Sequence, residues 1–544
     1  ALRLSKQYRF FHFHLEFPEV FEKGGFDCLL GNPPWEKINL EDKEFFSNKA
    51  PHITAIGNSS KRIEEIEKLE QKDPELYKEY KQASDSANKQ ISFFKISGAY
   101  RFGNDGLLNT YPLFTERAKN IINNIGTCGY IIPSGFFMDD TTSPLFRELF
   151  RNNLISSIFD FENRNRIFQN VDGRYRFSLL TIRKGEVDFS GSKFIFFLQN
   201  IEDIYQNPNT IYLKFTELKT FNPNNLLLPA FRNQYEVDLS RKLYRYGVLK
   251  INEHKSDSVQ VHRMINMTTD SGLLISENPE GNLLPVYESK LFHKYDHRYA
   301  SFDTKSKLEP QSGIGRIVSD KEKANSDFFI TPRFYASPEI INAKNEKWQW
   351  TRRWYFAYRY ISSSTNENCA IACIIPSSVV SNSSYLILIS NLDDLLLHLA
   401  NMNSFSYDFS VRAKVTLNFP PVILEQMPRI RSTDISEKLL RIIKDKVLRL
   451  TYTANDLKDF GNDFGLNKPF IWNEKERFQL QCELDAIYAH LYGLEKAEMD
   501  YILDTFPIVR RKDIDKYGTF RTKETILKLY DEFQWVKEEI NYRS

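Results

Sequence analysis

The chain is predicted to open with an α/β sheet flanked by helices, to continue as a mixed α+β region, and to end in helices. Three patterns carry this prediction. Apolar runs of strand length alternate with helical periodicity as far as about residue 182, residues 246–430 are aromatic-rich with weak periodicity, and from 431 apolar residues again recur at helical spacing.

Taken in order, Phe26-Asp-Cys-Leu-Leu30 is a strand-length run that stops at Gly31 and two prolines. Residues 36–106 turn polar, and Lys61-Arg-Ile-Glu-Glu-Ile-Glu-Lys-Leu-Glu70 has apolar positions at helical spacing, which predicts an exposed helical insertion. A helix is expected from Asn109 through Tyr111, Phe114 and Ala118, then a strand at Gly129-Tyr-Ile-Ile-Pro133 and a helix near Leu145 to Phe150. Ile155-Ser-Ser-Ile-Phe-Asp160 and Phe177-Ser-Leu-Leu-Thr-Ile182 complete the strands. The expected divisions are a first domain over 1–195, a helical connector over 196–245 punctuated by Pro208, Pro223 and Pro229, the mixed region over 246–430, and a helical region over 431–544.

Composition sets wider bounds. A chain of 544 residues forms about two to four domains. With 41% hydrophobic and 26% charged residues and no apolar run of about 18 residues, it reads as globular, with no membrane partner. It begins at Ala1 without the pattern of a signal peptide, so it is expected to be a segment of a longer protein and to reside in the cytoplasm. Cys28, Cys128, Cys369, Cys373 and Cys482 lack the paired spacings of a zinc site, and no metal is expected. A net charge of +2 announces no polyanion partner, so a nucleic-acid surface has to arise from local clustering.

Asn32-Pro33-Pro34-Trp35 is where chemistry is expected. An amine conjugated to an aromatic ring is a poor nucleophile, and acceptors aimed at its two N–H bonds can hold it in line for attack. An Asn side-chain oxygen and the carbonyl of the next residue form such a pair, while two prolines stiffen the turn and leave its carbonyls without N–H partners of their own. An aromatic at the fourth position can stack on a base drawn out of a duplex, offsetting part of the few kcal/mol that extrusion costs.

The motif resembles the Asn-Pro-Pro-aromatic signature of amino-group methyltransferases that use S-adenosylmethionine. Further segments resemble the large adenine methylases of type IIG restriction-modification enzymes and related phage-defence systems. They are His14-Leu-Glu-Phe-Pro-Glu-Val-Phe21, Gly129-Tyr-Ile-Ile-Pro-Ser-Gly135, Asp160-Phe-Glu-Asn-Arg164, Arg174-Tyr-Arg-Phe-Ser178 and Phe506-Pro-Ile-Val-Arg-Arg-Lys512, with Tyr517-Gly518 and Arg521-Thr-Lys523. The resemblance implies a Rossmann-like methyltransferase sheet, incomplete in this chain, followed by a target-recognition domain over 246–430. It implies a site-specific adenine-N6 DNA methyltransferase in which Asn32 and the Pro33 carbonyl orient the amine and Trp35 stacks, with Phe177 as a second aromatic wall. Asn109, Tyr111 and Phe114 are expected to border the donor's adenosine.

Family members hold the donor with a strand, a glycine-rich turn and an acidic residue upstream of the motif, and no such succession precedes Asn32. Gly313-Ile-Gly315 lacks that context and reads as a loop. The main donor site is therefore expected upstream of residue 1 or on a separate subunit, and this chain alone is expected to bind S-adenosylmethionine poorly and to be inactive. Double-stranded DNA is the expected partner. Its contacts are expected from Arg352, Arg353, Arg359, Arg412 and Lys414, from the polar segment Ser362 to Asn368, and from Arg510, Arg511 and Lys512 in the tail. Glu288-Ser-Lys290 has the Glu-x-Lys spacing of nuclease sites but sits in a stretch resembling the recognition region. The alternative reading is a non-catalytic DNA-recognition module of a larger restriction complex. Protein-glutamine and RNA-guanine methyltransferases share the motif but generally lack so long a downstream region.

Overall fold

Two glycines allow the first strands to meet. Gly24 and Gly25 have φ of +92 and +122, and a Cβ on Gly25 would lie 2.5 Å from the Ile121 carbonyl oxygen. A Cβ on Gly126 would lie 2.6 Å from the Phe26 carbonyl oxygen. With both side chains absent, β1 (Phe26–Gly31) lies parallel to β2 (Ile122–Pro133). The structure is a computed structural model that describes residues 3–541 apart from 4, 7, 8, 58, 140, 141, 186–190, 206, 250, 252–258, 304–314, 364, 365 and 416. It divides into two units, residues 1–236 and 237–544.

The first unit is built on a mixed six-stranded sheet. With β3 (Ile155–Glu162), β4 (Arg176–Arg183), β5 (Ser192–Leu198) and β6 (Ile211–Leu213), the strand order is β1-β2-β4-β3-β5-β6. β4 runs antiparallel to both β2 and β3, and β5 is parallel to β3. The C-terminal ends of β1, β2 and β3 and the first residues of β4 therefore share one edge, the edge at which α/β folds place their ligands. The sheet continues past residue 195, because β6 pairs with β5 through Lys193↔Tyr212, and the unit extends to Glu236.

Helix α3 (Thr110–Ile121) connects β1 to β2 and buries Leu113, Ala118 and Ile121. Helix α4 (Ser143–Arg151) buries Leu145, Phe146, Leu149 and Phe150, with the Phe150 ring 5.7 Å from Phe194 of β5. Burying such a ring contributes about 1.5–3 kcal/mol. Between β1 and α3 the insertion folds on itself: α1 (Ser59–Lys72) and α2 (Pro74–Ile96) close a small core of Phe46, Ala50, Ile53, Ile66 and Leu69. Asp73 caps α2 by accepting from the Leu76 N–H at 3.1 Å. The two ends of the insertion meet, with the Ile38 N–H donating to the Leu108 carbonyl at 2.9 Å and the Thr110 N–H to that of Glu36 at 3.0 Å.

The second unit contains a four-stranded antiparallel sheet in the order Ala372–Pro376, Trp354–Arg359, Ser384–Leu388, Gln260–His262. Helices of the tail pack into this same unit, although periodicity alone set them apart at residue 431. The fully buried Arg298 guanidinium donates to the carbonyls of Lys323 (2.8 Å) and Thr453 (3.0 Å), and the Tyr488 hydroxyl donates to the Leu397 carbonyl at 2.6 Å. Gly313 and Ile314, like Ser364 and Thr365 of the polar segment, lie outside the described residues. Among the described residues no helix is long and apolar enough to cross a membrane.

One tie between the tail and the helix Phe405–Arg412 is sensitive to pH. Asp485 is buried and accepts from the Phe405 N–H at 2.7 Å; burial pushes its carboxyl up to about 7, with Lys294 pulling it back. The unfolded chain loses this proton near pH 4 and the folded protein only near pH 7, so the associated stability is present below about pH 4 and is lost as pH rises to about 7. Asp485→Asn, uncharged throughout, should gain in melting temperature relative to the wild type between about pH 5 and pH 8. A difference independent of pH would show that folding leaves the Asp485 carboxyl at its ordinary proton affinity.

Candidate active site

The turn after β1 is held from three sides. Gly31 is in register with Tyr130 of β2, the Thr110 hydroxyl at the start of α3 donates to the Pro34 carbonyl at 2.5 Å, and the Trp35 indole N–H donates to the Ile131 carbonyl at 3.2 Å. Pro33 is buried, whereas Asn32 is exposed. Among the described residues, neither the Asn32 amide nor the Pro33 carbonyl has a hydrogen-bond partner, so both acceptors stay available to an incoming N–H or O–H donor.

A cavity of about 340 Å³ opens beside this turn. Asn32, Pro33, Pro34 and Trp35 form one side of it, and Phe168, Val171, Tyr175, Arg176 and Phe177 the other. Its walls are mainly aromatic and prolyl, with Asn32 and Arg176 as the polar groups. Cavities of this size, apolar with a few fixed polar groups, suit small or single-ring-system ligands.

The sheet fixes the far wall. Asp160, at the end of β3, is fully buried and accepts from the hydroxyls of Ser134 and Ser178, the latter at 2.8 Å, and from the Arg176 guanidinium. Burial pushes its carboxyl upward, while Arg176 and the two hydroxyls pull it back. Asn163 is also fully buried. Its amide donates to the carbonyls of Phe168 (3.0 Å) and Val171 (2.9 Å), and its oxygen accepts from the Phe168 N–H at 2.9 Å. These bonds shape the loop between β3 and β4 that carries Phe168, Val171 and Tyr175 to the cavity.

Phe177 lines the cavity as well, but it is 5% exposed, with Phe161 stacked at 5.1 Å and the Phe168 edge at 4.8 Å. Phe168, partly buried on the loop, offers more ring surface. Asn109 caps α3 by accepting from the Tyr111 N–H at 3.4 Å. Tyr111 is buried, which pushes its phenol upward, and Phe114 is 46% exposed.

The cations expected to meet DNA fall into two groups. Arg359, Arg412 and Lys414 are drawn inward, contrary to the expectation of a DNA-facing surface. Arg359 donates to the Phe292 carbonyl (3.1 Å), Arg412 pairs with Asp408 (3.1 Å) and donates to the Glu367 carbonyl (2.7 Å), and Lys414 donates to the Gln426 carbonyl (3.1 Å). Burial lowers the Arg359 and Lys414 proton affinities. Their alkyl stems join an aromatic core while fixed oxygens satisfy the charge. Arg353, Arg510 and Arg511 are exposed, Arg352 is paired with Asp463 at 2.7 Å, and Lys512 with Glu367 at 2.6 Å. Glu288 is buried against Arg333 (3.0 Å) and Lys290 (2.9 Å), so its carboxylate is already committed.

Comparison with known proteins bears on the unit that holds the cavity. Residues 2–168 match the profile of the Eco57I restriction-modification methylase family. The first unit thus carries a restriction-modification methylase segment that includes the Asn32 to Trp35 turn. No curated protein sequence matches the chain. Among solved structures, the chain is similar to the type IIL restriction-modification enzyme MmeI in complex with DNA, at 13% identity and a TM-score of 0.39 over 90% of this chain and 58% of that one. The type IIG restriction endonuclease BpuSI matches at 13% identity and a TM-score of 0.27, over 74% of this chain and 52% of that one. A nuclease-deletion mutant of the type ISP restriction-modification enzyme LlaGI, in complex with a DNA substrate mimic, matches at 10% and 0.37, over 81% and 43%. The chain spans about half the length of these structures.

Proposed function

We propose that this restriction-modification methylase segment belongs to a site-specific DNA methyltransferase that modifies the N6 amine of adenine, with S-adenosylmethionine as donor. The observation that carries the reading is the pair of unpartnered acceptors, Asn32 and the Pro33 carbonyl, at the rim of an aromatic cavity on the C-terminal edge of parallel strands. In the proposed reaction an adenine leaves the duplex and enters the cavity between Trp35 and Phe168, with Phe177 behind. Asn32 Oδ1 and the Pro33 carbonyl accept the two amine N–H bonds, which directs the nitrogen lone pair out of the ring plane. The indole bond to Ile131 and the buried Asp160 cluster hold the walls still, so little reorganisation is needed as charge develops.

The donor supplies the electrophilic methyl group when bound. Among the described residues upstream of β1 there are short helices, Phe13–Glu16 and Pro18–Glu22, but no strand followed by a glycine turn, so the residues present do not make a donor cradle. Phe114 and Asn109, at the start of α3, are this chain's contribution to that side. Isothermal titration of this chain with S-adenosylmethionine should accordingly show no micromolar binding, and a micromolar constant would overturn this division of labour.

The experiment that tests the function is methylation of plasmid DNA by the full-length protein, read by single-molecule sequencing. N6-methyladenine at one recurring sequence is the expected result. Methylated cytosine, or unmodified DNA from a protein with intact donor binding, would defeat the reading.

A further inference from the structure

The loop between β3 and β4 carries more positive charge than the wall of a cavity requires. Between Glu162 and Arg176 it holds Arg164, Arg166, Arg174 and Arg176 against Glu162 and Asp172, four cations against two anions, or +2. Arg176 is turned inward to Asp160, whereas the Arg174 and Arg164 side chains are 92% and 61% exposed. Each of the two outer arginines rests on a carboxylate of the loop itself, Arg174 on Asp172 at 3.0 Å and Arg164 on Glu162 at 2.8 Å. Solvent screens such pairs, the Arg174–Asp172 pair most of all, so the guanidinium groups are readily exchanged to another anion. A phosphate, with its full charge and geometry for paired N–H donors, competes well for such a guanidinium.

The loop is also preformed. Arg166 sits in the left-handed region at φ +56, and its guanidinium donates to the Val171 carbonyl at 2.9 Å. Backbone of this kind is strained and persists only when surrounding contacts over-determine it, which the buried Asn163 does here. Tyr175 stands at the cavity mouth, 63% exposed, with its carbonyl fixed by the Asn163 N–H at 3.0 Å.

We propose that residues 163–175 form a second DNA-binding element, distinct from the recognition region: Arg164 and Arg174 exchange Glu162 and Asp172 for the phosphates flanking the extruded nucleotide, and Tyr175 covers the cavity mouth. This rests on the reading of the cavity as a base pocket. It assigns the affinity for the flipped state to unit 1 itself, independently of sequence recognition.

The test uses the full chain and a labelled duplex of about 30 base pairs in which one adenine faces an abasic site, so that extrusion costs little and no target sequence is needed. Affinity is measured between about 50 and 200 mM salt. The double variant R164Q/R174Q should lower the slope of log affinity against log salt by about 1.8, from about 0.9 for each lost phosphate contact. Tyr175→Ala should keep the wild-type slope but lose the preference for the abasic duplex over a fully paired one. An unchanged slope in a double variant that melts like the wild type would overturn the clamp while leaving the base-pocket reading intact. A wild-type chain that binds neither duplex would overturn both.

Discussion

Asn32→Ala is expected to lower methyl transfer by about 10²–10³-fold, the usual cost of removing one preorganised polar group from a reacting centre. The side chain is exposed and bonded to nothing in the described structure, so its loss should leave folding and DNA affinity as they were. The deficit should therefore fall on kcat at saturating DNA rather than on KM, the mark of an interaction made in the transition state. Asn32→Asp keeps an acceptor oxygen in place and should retain more activity than alanine. The measurement is transfer of labelled methyl groups to plasmid DNA by the full-length protein. Equal activity in Asn32→Ala and the wild type would remove this residue from the chemistry.

Asp160→Ala should have the largest effect on stability. It leaves the Arg176 guanidinium, mostly buried, without its carboxylate and frees two buried seryl hydroxyls. Breaking a buried pair from one side costs about 3–5 kcal/mol. At about 2–4 °C per kcal/mol for a unit of this size, the melting temperature should fall by about 6–20 °C. Replacing both partners with apolar residues, Asp160→Leu with Arg176→Met, should restore most of that loss, because no charge is then stranded. Such a double variant separates stability from function: it refills the wall but removes a polar group from the cavity. Calorimetry showing wild-type melting for Asp160→Ala would mean that the cluster does not hold β2, β3 and β4 together.

The elements legible in the sequence were those written in local pattern. The run Phe26 to Leu30 ends at Gly31 and two prolines because an apolar strand stops there, and the spacing of Ile63, Ile66 and Leu69 marks α1. The cavity's second wall had no such signal. Ile167-Phe-Gln-Asn-Val171 has neither strand nor helix period, and its place depends on Asn163, whose bonds become visible only once β3 and β4 are paired. Phe177 stood out instead because it begins a recognisable strand, yet strand residues pack on both faces and Phe161 takes one of its own. Cation type is equally silent about location: Arg353 and Arg359 look alike in sequence, and only the sheet register sends one outward and the other to the Phe292 carbonyl. β6 was missed because it is three residues long.

The insertion between β1 and α3 leaves and returns through one pair of adjacent residues, Ile38 and Leu108, and it has a core of its own. Anything between those two points is a cassette. It can lengthen, shorten or be exchanged for another closed module without moving Pro34 relative to Thr110, because the staple that sets that distance lies below the join. Natural variation in this stretch can therefore add surface features beside the pocket while the Asn32 to Trp35 turn stays untouched, and a short glycine bridge from Ile38 to Leu108 is the place to cut when a minimal version of this unit is wanted.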